Sequence, residues 1–454
     1  MNLLYIHTHD SGRYFSPYGY SVPSDHLLAF AKDATTFTNG YCVNPTCSPS
    51  RASMLTGIYP HQNGMLGLAQ RGFGLNDTDQ HLCNFLKRNG YHTVLSGIQH
   101  EVDFYTNVEA SKTIGYHEVL THDPFVYQKE DYHLWDQENA LAAADWLKHA
   151  DPDRPFFMSY GMHSTHRPFP VKISDRVNEN YVKPWQPIFN NAKNRHDTAQ
   201  YLTSAQHADE CFEIVIDALK EAGYYENTIV LFTTDHGVAY PFNKCYLSDK
   251  GTGVSLIMRV PDSLEKGTVS DALVSQIDVF PTLCDLLKLD QPDYLEGKSF
   301  SGCFYGLPAG DEYVFSEINF HTSYEPCRAV RSERYKYIRY YDRTHLFVNP
   351  SNTDSNKVKD FYMENGYGSY PKAEEAFYDL IYDPNEMNNL IDHEELREII
   401  DEFRNRLHEF QVKTKDPLLN GPLPVKPSYK VNKPDCIEAS SKNPEDYLSE
   451  GKFY

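Results

Sequence analysis

Three polar clusters, rich in carboxylates and imidazoles, each follow an apolar segment that predicts a buried strand. They are His7–Asp10, His163–His166 and Asp235–His236. Ligands of open α/β sheets bind at the carboxyl ends of the strands, so we expect these clusters to lie at one edge. Carboxylate oxygens and imidazole nitrogens both coordinate metal ions. One cluster alone would indicate only a solvated loop, whereas the three together predict a metal site.

A second candidate site lies in the segment Asn44–Gly57, which reads NPTCSPSRASMLTG. Cys47 stands at the predicted start of a helix, where free backbone N–H groups and the helix dipole favour an anion. Arg51 follows one helical turn later and therefore lies on the same face. The segment combines a candidate reactive residue, Cys47, with a cation on the same face of the helix. A buried structural cysteine is the alternative.

The elements that must position these residues alternate between strand and helix over the first two-thirds of the chain. The predicted strands are Leu3–His7, Thr93–Leu95, Phe156–Tyr160, Thr228–Thr233 and Val254–Val260. The predicted helices are Asp25–Lys32, His81–Arg88, Leu141–His149, Thr198–Ala222 and Val279–Leu287. Ser24 is the expected N-cap of the first helix. This alternation predicts an α/β fold with a large, mainly parallel sheet flanked by helices.

The pattern changes after about residue 310, where predicted strands follow each other without crossover helices. The segments concerned are the strands Tyr335–Tyr341 and Phe377–Leu380 and a helix near Glu394–Phe410. We therefore expect a catalytic domain over residues 1–310 and a smaller α+β domain with an antiparallel sheet over residues 311–454. From Asn420 onward the chain is rich in Pro, Lys and Ser, which predicts a tail draped over the surface.

Charge and composition exclude several partners. The chain has 42 Lys and Arg against 63 Asp and Glu, a net charge of −21, so no basic surplus exists to neutralise nucleic-acid phosphates. No apolar run reaches the roughly 18 residues that span a bilayer, so we expect no membrane partner. The opening MNLLYIHTHD has no basic n-region, and the nine cysteines form no CxxC pair. We expect a reduced, cytoplasmic chain, although trimming of an export signal would leave the same sequence.

The string Cys47-Ser-Pro-Ser-Arg51, followed by Thr56-Gly57, resembles the signature of the formylglycine-dependent type I sulfatases. Two more segments resemble the same family, namely Asp217–Gly237 and Phe377–Leu390. Another two resemble its sulfamidase (N-sulfoglucosamine sulfohydrolase) subfamily, namely His61–Leu68 and His163–Arg167. The resemblance covers nearly the whole chain and implies an alkaline phosphatase-like fold.

The resemblance also implies a reaction. In this family a maturation enzyme oxidises the signature cysteine, here Cys47, to formylglycine. The hydrated aldehyde carries two hydroxyls on one carbon, of which one attacks sulfur and displaces the alcohol or amine. The other hydroxyl then loses its proton, and the carbon expels sulfate and restores the aldehyde. An ordinary serine would form a sulfate ester without such an exit.

The resemblance carries roles to further residues of the chain. The expected catalytic residues are Cys47, Arg51, His100, His166 and Lys244. His100 matches a residue that contacts the formylglycine hydrate, and His166 matches one that faces the leaving group. Lys244 matches a basic residue that holds the sulfate. Ile98 stands where the family has a further sulfate-binding Lys, which is a departure from the pattern.

The family's divalent cation would be bound by a set that combines oxygen and nitrogen atoms. The expected metal residues are His9, Asp10, Cys47, Asp235 and His236. His9 stands where the family has an Asp, so this set carries fewer negative charges than usual. Calcium prefers oxygen ligands, whereas imidazole suits manganese or zinc. We expect calcium, with Mn²⁺ or Zn²⁺ as the alternatives.

The leading interpretation is a sulfuric ester or sulfamate hydrolase that acts on a sulfated saccharide such as a glycosaminoglycan. A phosphonate monoesterase or phosphodiesterase of the same superfamily is the first alternative, because Asp-His metal segments such as Asp235-His236 also occur there. The second alternative is a sulfatase-like carbohydrate-binding protein with weakened catalysis, which the departures at His9 and Ile98 suggest. Retention of Cys47 and Arg51 favours the enzyme.

Overall fold

The computed structural model describes residues 1–103 and 108–448, which form two sheets with helices packed on them. The strands are β1 Asn2–His7, β2 Thr35–Tyr41, β3 His92–Gly97, β4 Glu118–Val119, β5 Phe156–Gly161, β6 Thr228–Thr233, β7 Leu256–Arg259, β8 Thr268–Ser275, β9 Val314–Phe320, β10 Tyr324–Arg331, β11 Tyr335–Tyr340 and β12 Glu375–Asp379. The α-helices are α1 Asp25–Ala31, α2 Cys47–Thr56, α3 Pro60–Asn63, α4 Leu82–Arg88, α5 Val108–Thr113, α6 Tyr132–His149, α7 Ala192–Glu221, α8 Asp249–Thr252, α9 Val279–Leu287, α10 Lys357–Glu364 and α11 Arg397–Lys413. None of these helices is long and apolar enough to cross a membrane.

The large sheet has the strand order β4-β3-β5-β1-β6-β7-β2-β8. Its central strands β3, β5, β1 and β6 run parallel to one another, and every residue of β1, β5 and β6 is buried. Continuous apolar runs form these strands because helices cover both faces of the sheet. Helices α1, α6 and α7 pack on one face, and α2, α4 and α9 pack on the other. The predicted mainly parallel sheet flanked by helices is confirmed.

Several details of the large sheet and its helices differ from the sequence prediction, among them the start of α6, which is Tyr132 rather than Leu141. Strand β7 runs antiparallel to both of its neighbours, β6 and β2, so the sheet is mixed. Strands β2 and β8 were not predicted, because Thr, Asn and Ser interrupt their apolar pattern. Ser24 stands at the N-cap position of α1, but its side chain does not cap the helix. The Asp209 carboxylate on α7 instead accepts the N–H groups of His26 and Leu27, at 3.0 and 2.7 Å.

The smaller sheet is antiparallel in the order β12-β11-β10-β9, as predicted for this part of the chain. Helix α11 packs on it through Ile400 and Phe403, which contact buried residues of β10, β11 and β12. Arg328 of β10 and Asp416, which follows α11, form a buried bidentate ion pair with N–O distances of 2.7 and 3.0 Å. The tail after residue 420 is more than a surface covering, since Leu423 and Val431 are buried in a core cluster.

Candidate active site

Four neighbouring strands deliver polar residues to one edge of the large sheet. These strands, β3, β5, β1 and β6, are adjacent in the sheet. The loop after β3 carries His100, and the loop after β5 carries His163 and His166. The loop after β1 carries His9 and Asp10, and the loop after β6 carries Asp235 and His236. Because parallel strands share their carboxyl ends, these loops meet above the same edge. The three polar clusters found in the sequence are thus brought together, and helix α2 adds Cys47 and Arg51.

Two buried aspartates form the centre of the site. Nδ1 of His9 lies 2.9 Å from Asp10 Oδ1 and 3.2 Å from Asp235 Oδ2. Arg51 donates from Nη2 to Asp235 Oδ2 and to the Thr8 carbonyl, both at 3.0 Å. Burial would raise the pKa of Asp235, but His236 and the Arg51 guanidinium hold it well below its usual range. Burial would also raise the pKa of Asp10, but Lys244 and the neighbouring histidines hold it well below its usual range. Both aspartates are therefore charged, and Arg51 anchors Asp235.

Cys47 is the first residue of the buried helix α2 and faces the aspartate centre. Its Sγ lies 3.4 Å from His236 Nε2 and 3.9 Å from Asp10 Oδ1. His236 donates from Nδ1 to the Gly237 carbonyl at 2.9 Å, so Nε2 is the ring nitrogen that faces Cys47. Burial raises the pKa of the Cys47 thiol well above its usual range. An unmodified Cys47 is therefore a protonated thiol and a poor nucleophile.

Lys244 joins the centre of the site to the smaller domain. Its Nζ donates to Asp10 Oδ2 at 2.8 Å and to Asp354 Oδ2 at 2.7 Å. Burial would lower the pKa of Lys244, but the two carboxylates raise it well above its usual range. Lys244 is thus a fixed positive charge beside Asp10. Sequence analysis did not identify Asp354, which lies in a turn-rich segment without a recognised motif.

His166 and His100 lie on the open side of the centre. His166 donates from Nδ1 to the Arg167 carbonyl at 2.6 Å, and its Nε2 lies 3.8 Å from Asp10 Oδ2. Its ring packs edge-on against His9, with 4.5 Å between ring centroids. Burial lowers the pKa of His100 well below its usual range and that of His9 to about 4, so both rings are neutral at pH 7. His166 is the most exposed of the three rings.

The donor set fits a divalent cation. One ligand atom from each of Asp10, Cys47, Asp235 and His236 lies within 4.8 Å of the others, and a second such group combines His9, Asp10, Cys47 and His166. Carboxylate oxygens and an imidazole nitrogen are ligands that such an ion accepts. His9 directs Nδ1 at both carboxylates, so it contacts the ligands in this arrangement. Which ion binds stays a prediction.

A pocket of about 360 Å³ opens onto Cys47 and is lined by both sheets' loops. Sequence analysis identified His9, His100, His166 and Lys244 among its lining residues, together with Ile98. The lining residues that it did not identify include Arg71, Lys129, His321, Thr322, Asp354 and Lys430. These come from loops and from the tail, and only Arg71 lies near a segment that the sequence analysis had singled out.

Comparison with known proteins identifies the family. A family model described as Sulfatase matches residues 1–289. The chain belongs to the sulfatase family. A second model, described as N-sulphoglucosamine sulphohydrolase, C-terminal, matches residues 235–373 of this sulfatase. The predicted resemblance to sulfatases, and to the sulfamidase subfamily within them, is confirmed. The protein is a hydrolase of sulfuric esters or sulfamates, and its family is metal-dependent.

Two curated relatives cover most of this sulfatase. It is 26% identical to the human N-sulphoglucosamine sulphohydrolase, over 93% of this chain and 92% of the relative. It is 28% identical to an ulvan-active sulfatase of Formosa agariphila, over 85% of this chain and 78% of the relative. Both names describe enzymes that hydrolyse sulfated compounds.

Solved structures share the fold of this sulfatase. One was determined in complex with its substrate D-glucosamine-2-N,6-O-disulfate; it has a TM-score of 0.65 and 18% identity and covers 91% of this chain and 98% of that one. The phosphonate monoester hydrolase of Agrobacterium radiobacter has a TM-score of 0.69 and 18% identity, and the match covers 94% of this chain and 98% of that one. At these identities the likeness shows the fold alone.

Proposed function

We propose that this sulfatase hydrolyses a sulfate ester or sulfamate on a sulfated saccharide, through a formylglycine formed from Cys47. The observation that carries the proposal is the position of Cys47. It opens a buried helix beside two charged aspartates, within 4.8 Å of a ring nitrogen of His166. A helix N-terminus favours the anion that would form there. The neighbouring residues can hold both a divalent cation and a sulfate.

Each neighbour of Cys47 has a separate task in this proposal. The formylglycine supplies a hydrated aldehyde that takes the sulfuryl group and releases sulfate again. Arg51 keeps Asp235 charged and in place through the 3.0 Å contact. Lys244 holds positive charge against the sulfate oxygens, beside Asp10. His166 gives a proton to the departing oxygen or nitrogen from Nε2, because its Nδ1 already donates to a carbonyl.

The metal belongs to the same proposal. Asp10, Asp235 and His236 would hold a divalent cation, which draws charge from the sulfate oxygens when bound. We prefer calcium because carboxylate oxygens dominate the donor set and one imidazole nitrogen completes it. Zinc or manganese would be favoured if His9 also turned a nitrogen toward the ion.

The proposal requires a transient partner, namely a maturation enzyme that oxidises Cys47. Conversion of the thiol to the aldehyde removes sulfur from Cβ and adds oxygen. Peptide mass spectrometry of protein made with and without such an enzyme measures this exchange. Sulfate release should rise with the aldehyde fraction, and the Cys47→Ala variant should release none. An active preparation that contains only unmodified Cys47 would exclude the mechanism.

The substrate we favour is N-sulfated glucosamine, because the curated relative and the C-terminal family model both carry this name. His321 and Asp354 line the pocket and can contact sugar hydroxyls, since the buried Nδ1 of His321 has no hydrogen-bond partner in the described ranges. The test compares sulfate release from N-sulfoglucosamine and from 6-O-sulfated N-acetylglucosamine. Preference for the second would reject the sulfamidase assignment.

A phosphonate or phosphodiester substrate is the second candidate, favoured by the structural likeness to a phosphonate monoester hydrolase. The metal centre and Lys244 would also suit a phosphoryl group. Phosphonate monoesters and phosphodiesters, assayed beside the sulfated sugars on the same matured preparation, decide between the two. A higher kcat/KM on the phosphorus substrates would replace the proposed function.

A further inference from the structure

The pocket carries the opposite charge to the rest of the protein. The chain as a whole has a net charge of −21. Among Arg, Lys, Asp and Glu, the residues that line the pocket are five basic side chains and one acidic side chain: Arg71, Lys129, Arg167, Lys244 and Lys430, and Asp354. Such a local excess of positive charge favours anionic ligands by raising their concentration at the mouth.

Only two of the five basic residues are neutralised by carboxylates. Lys244 is paired with Asp10 and Asp354, as described above. Arg167 forms a bidentate pair with Asp197, at 2.9 and 2.6 Å. The other three, Arg71, Lys129 and Lys430, form no ion pair with any carboxylate of residues 1–103 and 108–448. The pocket therefore has more free positive charge than the sulfate at Cys47 requires.

Arg71 holds part of this unpaired positive charge at a fixed position. Its side chain is only 7% exposed, and Nη1 donates to the Lys430 carbonyl and to Asn432 Oδ1, at 2.9 and 3.0 Å. Nη2 donates to the Ala439 carbonyl. These acceptors are neutral, so the guanidinium charge is left without a counterion, which is unfavourable for a buried group. The same bonds fix the tail segment that brings Lys430 to the pocket.

Lys129 reaches the pocket from the part of the chain that forms the large sheet, whereas Lys430 belongs to the tail. It begins the short 3-10 helix Lys129–Asp131, which leads into α6. Its side chain and that of Lys430 are exposed to solvent, whereas Ile98, at the position of the absent sulfate-binding Lys, is buried. The two lysines thus come from different parts of the chain, one from the loop before α6 and one from the tail.

We propose that Arg71, Lys129 and Lys430 form a subsite for a second anionic group of the saccharide. The inference rests on the proposed function and specifies its substrate class. The substrate is a sugar that carries, besides the sulfate that is cleaved, a further sulfate or a carboxylate on the same or the adjacent unit. A pocket of about 360 Å³ has room for one such substituted sugar ring.

The test measures KM for three substrates with the matured, metal-loaded enzyme. N-sulfoglucosamine carries one anionic group, glucosamine-2-N,6-O-disulfate adds a sulfate, and N-sulfoglucosamine linked to a uronic acid adds a carboxylate. The variant is the double substitution Lys129→Met/Lys430→Met, which keeps the length of both side chains. Lys426→Met is the matched control, because Lys426 lies in the same tail and does not line the pocket.

We expect KM to be about tenfold lower for at least one dianionic substrate than for N-sulfoglucosamine, because each solvent-exposed ion pair contributes roughly two- to fivefold. The double variant should abolish this difference with kcat unchanged, and Lys426→Met should retain it. The advantage should also weaken with added salt. Whichever dianionic substrate shows it identifies the second group as sulfate or carboxylate.

Two results would overturn the subsite. One is an equal KM for all three substrates in the unsubstituted enzyme, and the other is a double variant that raises every KM by the same factor. Failure of the proposed function is distinct, because matured enzyme would then release no sulfate from any substrate. In that case calorimetric binding of the disulfate decides the subsite, and equal affinity in the double variant would reject it.

Discussion

His166 offers a direct test of proton donation to the leaving group, and His166→Ala is the perturbation. Nδ1 is occupied by the Arg167 carbonyl at 2.6 Å, so Nε2 is the atom that exchanges a proton. A ring nitrogen of His166 lies within 4.8 Å of Cys47 Sγ. To act as the general acid, this ring needs a hydrogen bond of about 2.6–3.2 Å to the departing atom of a sulfuryl group held at Cys47.

The size of the effect follows from the need for that proton. General acid catalysis contributes about 10²–10⁴-fold, or roughly 2.7–5.4 kcal/mol of barrier. A departing amine or sugar alkoxide needs the full effect, whereas a phenolate leaves readily because its conjugate acid has a pKa of about 10. We expect His166→Ala to lower kcat at least about 100-fold on N-sulfoglucosamine and less than about tenfold on an aryl sulfate.

Steady-state assays on both substrates measure this ratio, and Asp136→Asn is the matched control. Asp136 accepts the N–H groups of His163 and Ser164 at 2.7 and 2.8 Å, so it positions the loop that carries His166 without reaching the substrate. Its loss should slow both substrates by a similar factor. Equal losses in His166→Ala would refute the proton-donor role, as would a leaving-group preference in Asp136→Asn.

Three further predictions concern the metal and stability. After chelation, calcium should restore activity, and recovery with zinc or manganese alone would contradict our preference. His9→Asp should tighten calcium binding in calorimetry, because a carboxylate replaces a neutral imidazole; unchanged affinity would mean that position 9 does not contact the ion. Asp416→Asn should lower the free energy of unfolding by about 3 kcal/mol, since Arg328 loses its bidentate partner and keeps only Glu317 at 3.8 Å. Burial alone would raise the pKa of Asp416, but Arg328 lowers it to about 2. Its contribution to stability is thus complete above about pH 4 and lost as the pH falls through 2, and denaturant melts of the Asp416→Asn variant should lack this component.

The fold was predictable where local pattern and tertiary environment agree. Strands β1, β5 and β6 are uninterrupted apolar runs that end in polar clusters. Helices α6 and α7 were predicted only in part, since they begin at Tyr132 and Ala192, earlier than the predicted Leu141 and Thr198. The direction of β7 was not predictable, because it depends on which strands pair across the sheet rather than on the residues of β7. The cap of α1 was missed for a related reason, since Asp209 is distant in sequence.

The site residues likewise divide into those that short local motifs predict and those that only the tertiary fold brings together. Cys47, Asp10, Asp235 and His236 were found because they lie in short motifs at strand or helix ends, where the fold class itself brings them together. Asp354 was not found, although it contacts Lys244 at 2.7 Å. It reaches the pocket from a loop of the smaller domain, more than 100 residues along the chain from Lys244. No local spacing encodes that contact.

The burial of helix α2 has a consequence for the timing of maturation. All ten residues of α2 are buried, and Cys47 is only 2% exposed. An enzyme that has to grip the peptide around Cys47 cannot do so once this helix is packed. If Cys47 is matured as proposed, its oxidation has to happen while the chain is being synthesised or before it finishes folding. Chains that fold first would then keep their thiol, and the yield of active protein would depend on the rate of oxidation relative to the rate of folding.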